Sequence, residues 1–447
     1  MTRSLLLCAS LLTAPLGSGC YLSHALPLDG AAPDAGVPVD APADVTVRPD
    51  APLPPGCRAV CEPPTVLAHV ALPGAHEGPS YQFADAVSVG STIVVLTTGR
   101  YPGHLPPRHR LLFVDTGTGE VRASEPWEGS GRFPQHHGGA RIVSASDAGV
   151  TVIALAAQPE FMGSGLPTGR QSVSVHHLDW TFGGELSGSR RIIDFVEPET
   201  LGCVGGCEAG IALDGDRAIV SYAPDGELFV SEVALGSFEA SPWEMRMPIG
   251  DGAPAPWPHT AAIWAGEHWI AGGGTPDLEE PRAAFLYGPD GAPVPLDGTS
   301  DDLPPLLLGG ATLAVARHVG GPSAAFRVQR LRPGEPAEVM RVRTSALGAL
   351  SGWLTRDGSE RLVLAWASLA PGTVRDTIVS LTPDTPFSRC DVVEPVEIAR
   401  IPQGIVAPSV LAHAHEGALY VMAFANDPGD DAPQLVVFEL HGCTLTE

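Results

Sequence analysis

The sequence predicts an all-β protein, a β-propeller of seven blades with three to four antiparallel strands each, after a signal peptide and a disordered tether. Three observations carry that prediction. Beyond Cys61 a short phrase of apolar strand, tight turn, apolar strand, variable loop and third strand can be read seven times. The turns hold Asp-Gly and related pairs, which supply the positive φ that hairpins need. Amphipathic helical periodicity of useful length is nearly absent, and a repeat of a few strands every ~40 to 70 residues is what radial repetition of small sheets looks like.

The chain opens with a charged Arg3, an apolar run from Leu5 to Ala14 and the small-residue exit Pro15-Leu16-Gly17-Ser18-Gly19. This is the grammar of an export signal over residues 1–19. Its apolar run is too short to span a bilayer, which takes about 20 residues. Small residues leading into Cys20 resemble the lipobox of bacterial lipoproteins. That resemblance covers only the N-terminus. It implies cleavage before Cys20, acylation of its thiol with palmitate or a related chain, and an exported protein anchored to the bacterial outer membrane or cell surface through the lipid bilayer. Gly17 stands where the family usually places Leu, with Leu16 one position further back, so cleavage without lipidation is the alternative. Tyr21 after Cys20, in place of Asp, suits outer-membrane sorting as known for enteric lipoproteins.

Residues 20–56 are Pro, Ala, Asp and Val with Gly breaks, and Asp29, Asp34, Asp40, Asp44 and Asp50 recur through them. Proline holds such a chain extended and like charges open it further, so it reads as a tether. The propeller domain then takes residues 57–447.

The 447 residues carry a formal charge of −25, and all 26 basic residues are Arg. Without Lys, Schiff-base catalysis, pyridoxal phosphate attachment and P-loop phosphate binding are excluded. An acidic surface with no basic stripe argues against nucleic-acid partners and is compatible with cationic ligands or a divalent metal. If Cys8 leaves with the signal and Cys20 carries lipid, six cysteines remain, an even number that fits an oxidising compartment. Cys57 with Cys61 and Cys203 with Cys207 share the pattern G-C-x3-C-E. The expected pairing joins these neighbours and links Cys390 to Cys443, one of fifteen arrangements. A zinc site made by the two close pairs is the alternative.

The seven modules begin at Ala86, Arg141, Ile211, Ala261, Ala311, Leu350 and Ser409. They resemble bacterial propeller repeats generally and lack the Trp-Asp signature of WD40 repeats. Asp115-Thr116-Gly117 looks like one copy of a quinoprotein-type repeat. Each blade would expose an apolar face to each neighbour, so a ring satisfies all of them. Thr65 to Leu72 would supply an outer strand to the last blade. Counts of six and eight blades stay open.

In a propeller the loops that enter each blade gather around one end of the central channel. Here they hold His76 and Glu77, then His136 and His137, then Glu208, then Trp257 and His259. Several neutral imidazoles with a carboxylate are a donor set for a divalent metal, which would polarise a substrate or activate water. Loop histidines bonded to backbone or solvent are the plainer reading. His176 and His177 point to opposite faces of a strand, whereas His413 and His415 share one beside Glu416. No G-x-S-x-G elbow, dinucleotide fingerprint or H-E-x-x-H helix occurs. The sequence therefore points first to a propeller that binds an extracellular protein or saccharide, or serves as a scaffold, and second to a metal-assisted hydrolase or lyase at the His-lined face.

Overall fold

Apolar runs such as Ile93-Val94-Val95-Leu96 and Val152-Ile153-Ala154-Leu155 have no polar face, so a sheet made of them needs cover on both sides. The computed structural model shows how they obtain it. It describes residues 56–72, 80–100, 108–128, 140–161, 167–194, 208–223, 227–242, 244–248, 256–264, 267–274, 283–287, 293–299, 306–308, 313–319, 325–331, 338–343, 349–356, 362–369, 377–382, 390, 392–401, 409–426 and 433–446. Among these residues every regular element is a strand, and the strands form seven sheets.

Each sheet contains a four-stranded antiparallel path. The first runs Ser80–Val89, Thr92–Arg100, Arg108–Asp115 and Val121–Ala123. The innermost strands of the seven sheets are Ser80–Val89, Ala140–Ser146, Glu208–Asp214, Pro256–Trp264, Leu306–Leu308, Ala349–Arg356 and Val410–His415. Each touches the next in that order, and Val410–His415 touches Ser80–Val89. The circuit is closed, and the fold is a β-propeller.

Alternate residues of one strand serve opposite neighbours. Ile93 and Val95 pack with Leu411, Tyr420 and Met422 of the last sheet, while Val94 and Leu96 pack with Ile142, Val152 and Leu178 of the second. In the second sheet, Val152 and Ala154 face the first sheet, and Ile153 and Leu155 face Ile211 and Val220 of the third. Val363 and Leu381 of the sixth sheet complete the far side of the seventh against Val410, Leu419 and Val421. Each fully buried aliphatic side chain contributes about 1.5–3 kcal/mol, so removing one neighbour would uncover two core layers.

Two N-terminal strands, β1 (Cys57–Val60) and β2 (Thr65–Ala71), join this ring from the start of the described chain. β2 pairs antiparallel with Pro433–Leu440 and completes the last sheet, as the sequence suggested, so one sheet is built from both ends of the domain. Its Leu67 carbonyl lies against Gly119, which has φ 73° and has no room for a Cβ. β1 lies parallel to Val392–Glu394 and antiparallel to Thr444–Thr446, and Val392–Glu394 pairs in turn with the outer strand of the fifth sheet, Glu338–Arg343.

The disulfides overturn the expected pairing. Cys57 is bonded to Cys390 and Cys61 to Cys443, across sequence separations of 333 and 382. At about 3.3 Å per residue, β1 holds the two ends of the Cys57–Cys61 stretch about 13 Å apart, far beyond disulfide reach. Both bonds bind this strand to the rest of the fold instead, and Cys57 and Cys61 are not free to ligate zinc. Cys203 and Cys207 lie outside the described residues, as does Cys20.

A second correction concerns the fifth module. The described part of that module's first run, Leu313 to Ala316, falls on the second strand, Leu313–Val319, and the innermost strand is the short Leu306–Leu308. A three-residue Leu run gives too little period to read, even with Gly309-Gly310 directly after it.

Most turns match their sequence. Between Val410–His415 and Ala418–Asn426, however, both turn residues have positive φ, 48° at Glu416 and 80° at Gly417. Glu carries a steric penalty in that region that Asn largely avoids. Replacing Glu416→Asn is expected to stabilise the protein by about 1 kcal/mol, read as a higher denaturant midpoint with unchanged slope. An unchanged or lower midpoint would show that the turn is not strained.

Candidate functional site

The expected site lies at the end of the channel where the chain enters each inner strand. Glu208 opens the third inner strand, and Trp257 and His259 lie in the first half of the fourth, which runs beside it. His259 is the extra residue of a β-bulge, between the pairs Pro258–Gly272 and Thr260–Ala271. Bulges re-aim a side chain and bend a strand, and the first, second and sixth inner strands carry them too, at Ala84, Val143 and Leu350. His76, Glu77, His136 and His137 lie outside the described residues. Among the described residues no group of three or more His, Cys, Asp or Glu side chains is placed to hold a metal.

Next to the bulge at Ala84 stands Asp85, a carboxylate between the apolar pairs Phe83-Ala84 and Ala86-Val87. Its Oδ1 accepts the N–H of Ala86 and its Oδ2 accepts the N–H of Ile142 on the neighbouring inner strand, each at 2.9 Å. Arg141 donates Nη1 to the carbonyls of Ala84 and Ala140, at 2.9 and 3.0 Å. Burial raises the carboxyl pKa of Asp85 while Arg141 and the two N–H donors oppose the rise. The pair brackets the first and second sheets at the channel. An acidic residue inside an apolar run was a readable signal for a buried, partnered charge, and sequence reasoning passed over it.

The seam between the last and first sheets is stitched in the same way. Ser409 Oγ accepts the N–H of Phe83 at 3.1 Å, and Ser88 Oγ lies 2.7 Å from His413 Nε2. Phe83 stacks on Phe424 across the seam with ring centroids 4.2 Å apart. His413 thus belongs to an intersheet hydrogen bond rather than to a metal centre with His415 and Glu416.

Between the first and second sheets, Trp127 sits between two imidazoles, His109 at 5.6 Å and His176 at 5.0 Å between ring centroids. Thr98 Oγ1 lies 3.1 Å from His109 Nδ1, and Ser174 Oγ lies 2.9 Å from His176 Nε2. His177 faces the other way, stacked on Phe238 of the third sheet at 3.9 Å and 3.2 Å from Asp179. The two adjacent histidines therefore serve different seams, as strand alternation requires.

Asp115 caps a turn. Its Oδ1 accepts from the N–H of Gly117, the N–H of Thr118 and the Thr118 hydroxyl at 2.8–3.0 Å, bonds that hold its pKa below the usual carboxylate range. This accounts structurally for the Asp115-Thr116-Gly117 motif.

No protein-family model matches the chain, and no curated protein matches it either. Among solved structures it is similar to the Trypanosoma rangeli sialidase in complex with sialic acid, with 11% identity, a TM-score of 0.37, and coverage of 86% of this chain and 59% of the sialidase. It is also similar to the polysaccharide lyase Uly1, at 10% identity, a TM-score of 0.42, and coverage of 80% and 90%. A third is Kuenenia stuttgartiensis hydrazine synthase, at 14% identity and a TM-score of 0.39, covering 82% of this chain and 98% of that one. The chain thus spans about three fifths of the sialidase's length. The class of this protein, an all-β propeller, rests on its own sheet order and closed circuit.

The seam histidines set an acid limit on the fold. Burial pushes the pKa of His109 down to about 3, and burial with the nearby His415 pushes that of His413 down to about 4, from 6.5. Below about pH 6.5 the unfolded chain binds protons that the folded seams refuse, so stability falls from there toward pH 3 to 4. Urea unfolding at pH 7.5 and 4.5 is expected to show His413→Gln losing about 2 kcal/mol less than the unsubstituted protein between the two conditions. Equal losses would remove His413 from the acid response.

Proposed function

We propose that this protein is an exported, envelope-anchored lipoprotein that presents its propeller as a binding or scaffold module. In this reading residues 1–19 are the signal peptide, Cys20 carries lipid, 20–56 are the tether, and 57–447 form the propeller, with each of the seven sheets as a blade. The observation that carries it is the pair of long-range disulfides at the ends of β1, where the tether meets the domain. Such bonds persist in oxidising compartments, which fits the export signal. The polar groups traced above at the channel serve intersheet bonds, which favours a rigid platform over a catalytic centre. An extracellular saccharide or protein is the ligand class, met at the end of the channel that Glu208, Trp257 and His259 approach.

A metal-assisted hydrolase or lyase is the second reading, favoured by the bulge at His259 on a strand beside the one that Glu208 opens. Cys20→Ala should move the protein from the membrane fraction to the soluble envelope fraction and abolish palmitate labelling. Retention in the membrane with no label would overturn the anchor. Metal analysis of protein purified without chelator separates the two functions. The binding reading expects no stoichiometric divalent metal, while metal that is lost in both His137→Ala and His259→Ala establishes the enzyme reading.

A further inference from the structure

The native disulfides cross each other in sequence. In order along the chain, Cys57 pairs with Cys390 and Cys61 with Cys443, so neither bond joins neighbouring members of the four. In the unfolded chain the favoured bonds are different. Cys57 and Cys61 have only three residues between them, whereas their native partners lie 333 and 382 positions away. Loop-closure probability falls with roughly the three-halves power of length, which favours Cys57–Cys61 over Cys57–Cys390 by several hundredfold and Cys390–Cys443 over Cys61–Cys443 by about twentyfold. Once Cys57 and Cys61 are joined, β1 cannot extend, so this product blocks both native bonds and the pairing of β1 with Val392–Glu394 and Thr444–Thr446.

We infer that the protein reaches its native state through a disulfide isomerase, a dithiol partner that converts the local pairs Cys57–Cys61 and Cys390–Cys443 into the crossed pairs. The exchange balances without an oxidant, because two disulfides become two disulfides. The partner's thiolate attacks Sγ of Cys61, forming a mixed disulfide and releasing the Cys57 thiolate. That thiolate attacks Sγ of Cys390, forming Cys57–Cys390 and releasing the Cys443 thiolate. The Cys443 thiolate attacks Sγ of Cys61 in the mixed disulfide, forming Cys61–Cys443 and restoring the partner's thiolate. The folded ring supplies the driving force, since only the crossed pairs let β1 and the C-terminal strand take their places.

The inference holds whether or not Cys20 is acylated, so its failure and the failure of the anchor reading are separate outcomes. The test refolds the reduced full chain with oxidised glutathione alone, and in parallel with a catalytic amount of a purified disulfide isomerase added. Thiols are alkylated at intervals and the linked peptides mapped after tryptic cleavage, which separates Cys57 from Cys61 at Arg58 and Cys390 from Cys443 at Arg400. Cys57–Cys61 is expected to dominate early without the isomerase, and the crossed pairs to form at least tenfold faster with it. A chain carrying Cys8→Ser, Cys20→Ser, Cys61→Ser, Cys203→Ser, Cys207→Ser and Cys443→Ser keeps only Cys57 and Cys390, so no competing pair can form and its Cys57–Cys390 bond should form at the same rate with and without the isomerase. Crossed pairs appearing first with glutathione alone, or an equal dependence on the isomerase in this two-cysteine chain, would overturn the inference.

Discussion

The structure depends on one constraint: the first, second and last sheets are apolar on both faces, and such a sheet needs a neighbour on each. Ile93 and Val95 look one way and Val94 and Leu96 the other, and the same division runs through Val152 to Leu155. A stack of such sheets would leave two apolar faces in water, whereas a closed ring leaves none. The contact of Val410–His415 with Ser80–Val89 is therefore as necessary as any within a sheet.

Closure makes the seams the places where polar groups matter. Asp85, Arg141, Ser88, His413 and Ser409 each satisfy a group across or beside a seam, in surroundings where an unpartnered polar atom is costly. Among the described residues both disulfides fall at the join between the N-terminal strands and the C-terminal end of the domain. There β2 completes the last sheet, β1 adds a strand beside both Val392–Glu394 and Thr444–Thr446, and two disulfides secure β1.

Much of the fold was legible because it follows from local chemistry. The turn pair Glu416-Gly417 sits between the strands it was expected to join, Gly215 turns the chain one position further on with Asp216, and Thr65–Ala71 supplies an outer strand of the last sheet as its sequence suggested. Leu306–Leu308 was not legible as a strand, because three leucines carry no period, although the Gly309-Gly310 pair after them was a readable turn signal. Asp85 was legible in principle, as a charge inside an apolar run. Its partners, the Ile142 N–H and Arg141, lie on the neighbouring sheet and become visible only after the ring is assembled.

The sequence by itself determined the strand-and-turn rhythm, the acidic charge and the absence of lysine chemistry, because each depends on residues and their near neighbours. The tertiary structure alone decided which cysteines meet and which histidines serve a seam. The spacing of Cys57 and Cys61 favours a local bond for a flexible chain, but an extended strand held between two others places their sulfurs too far apart and brings Cys390 and Cys443 to them. Contacts across more than 300 residues are fixed by packing, and packing has no signature in short-range sequence.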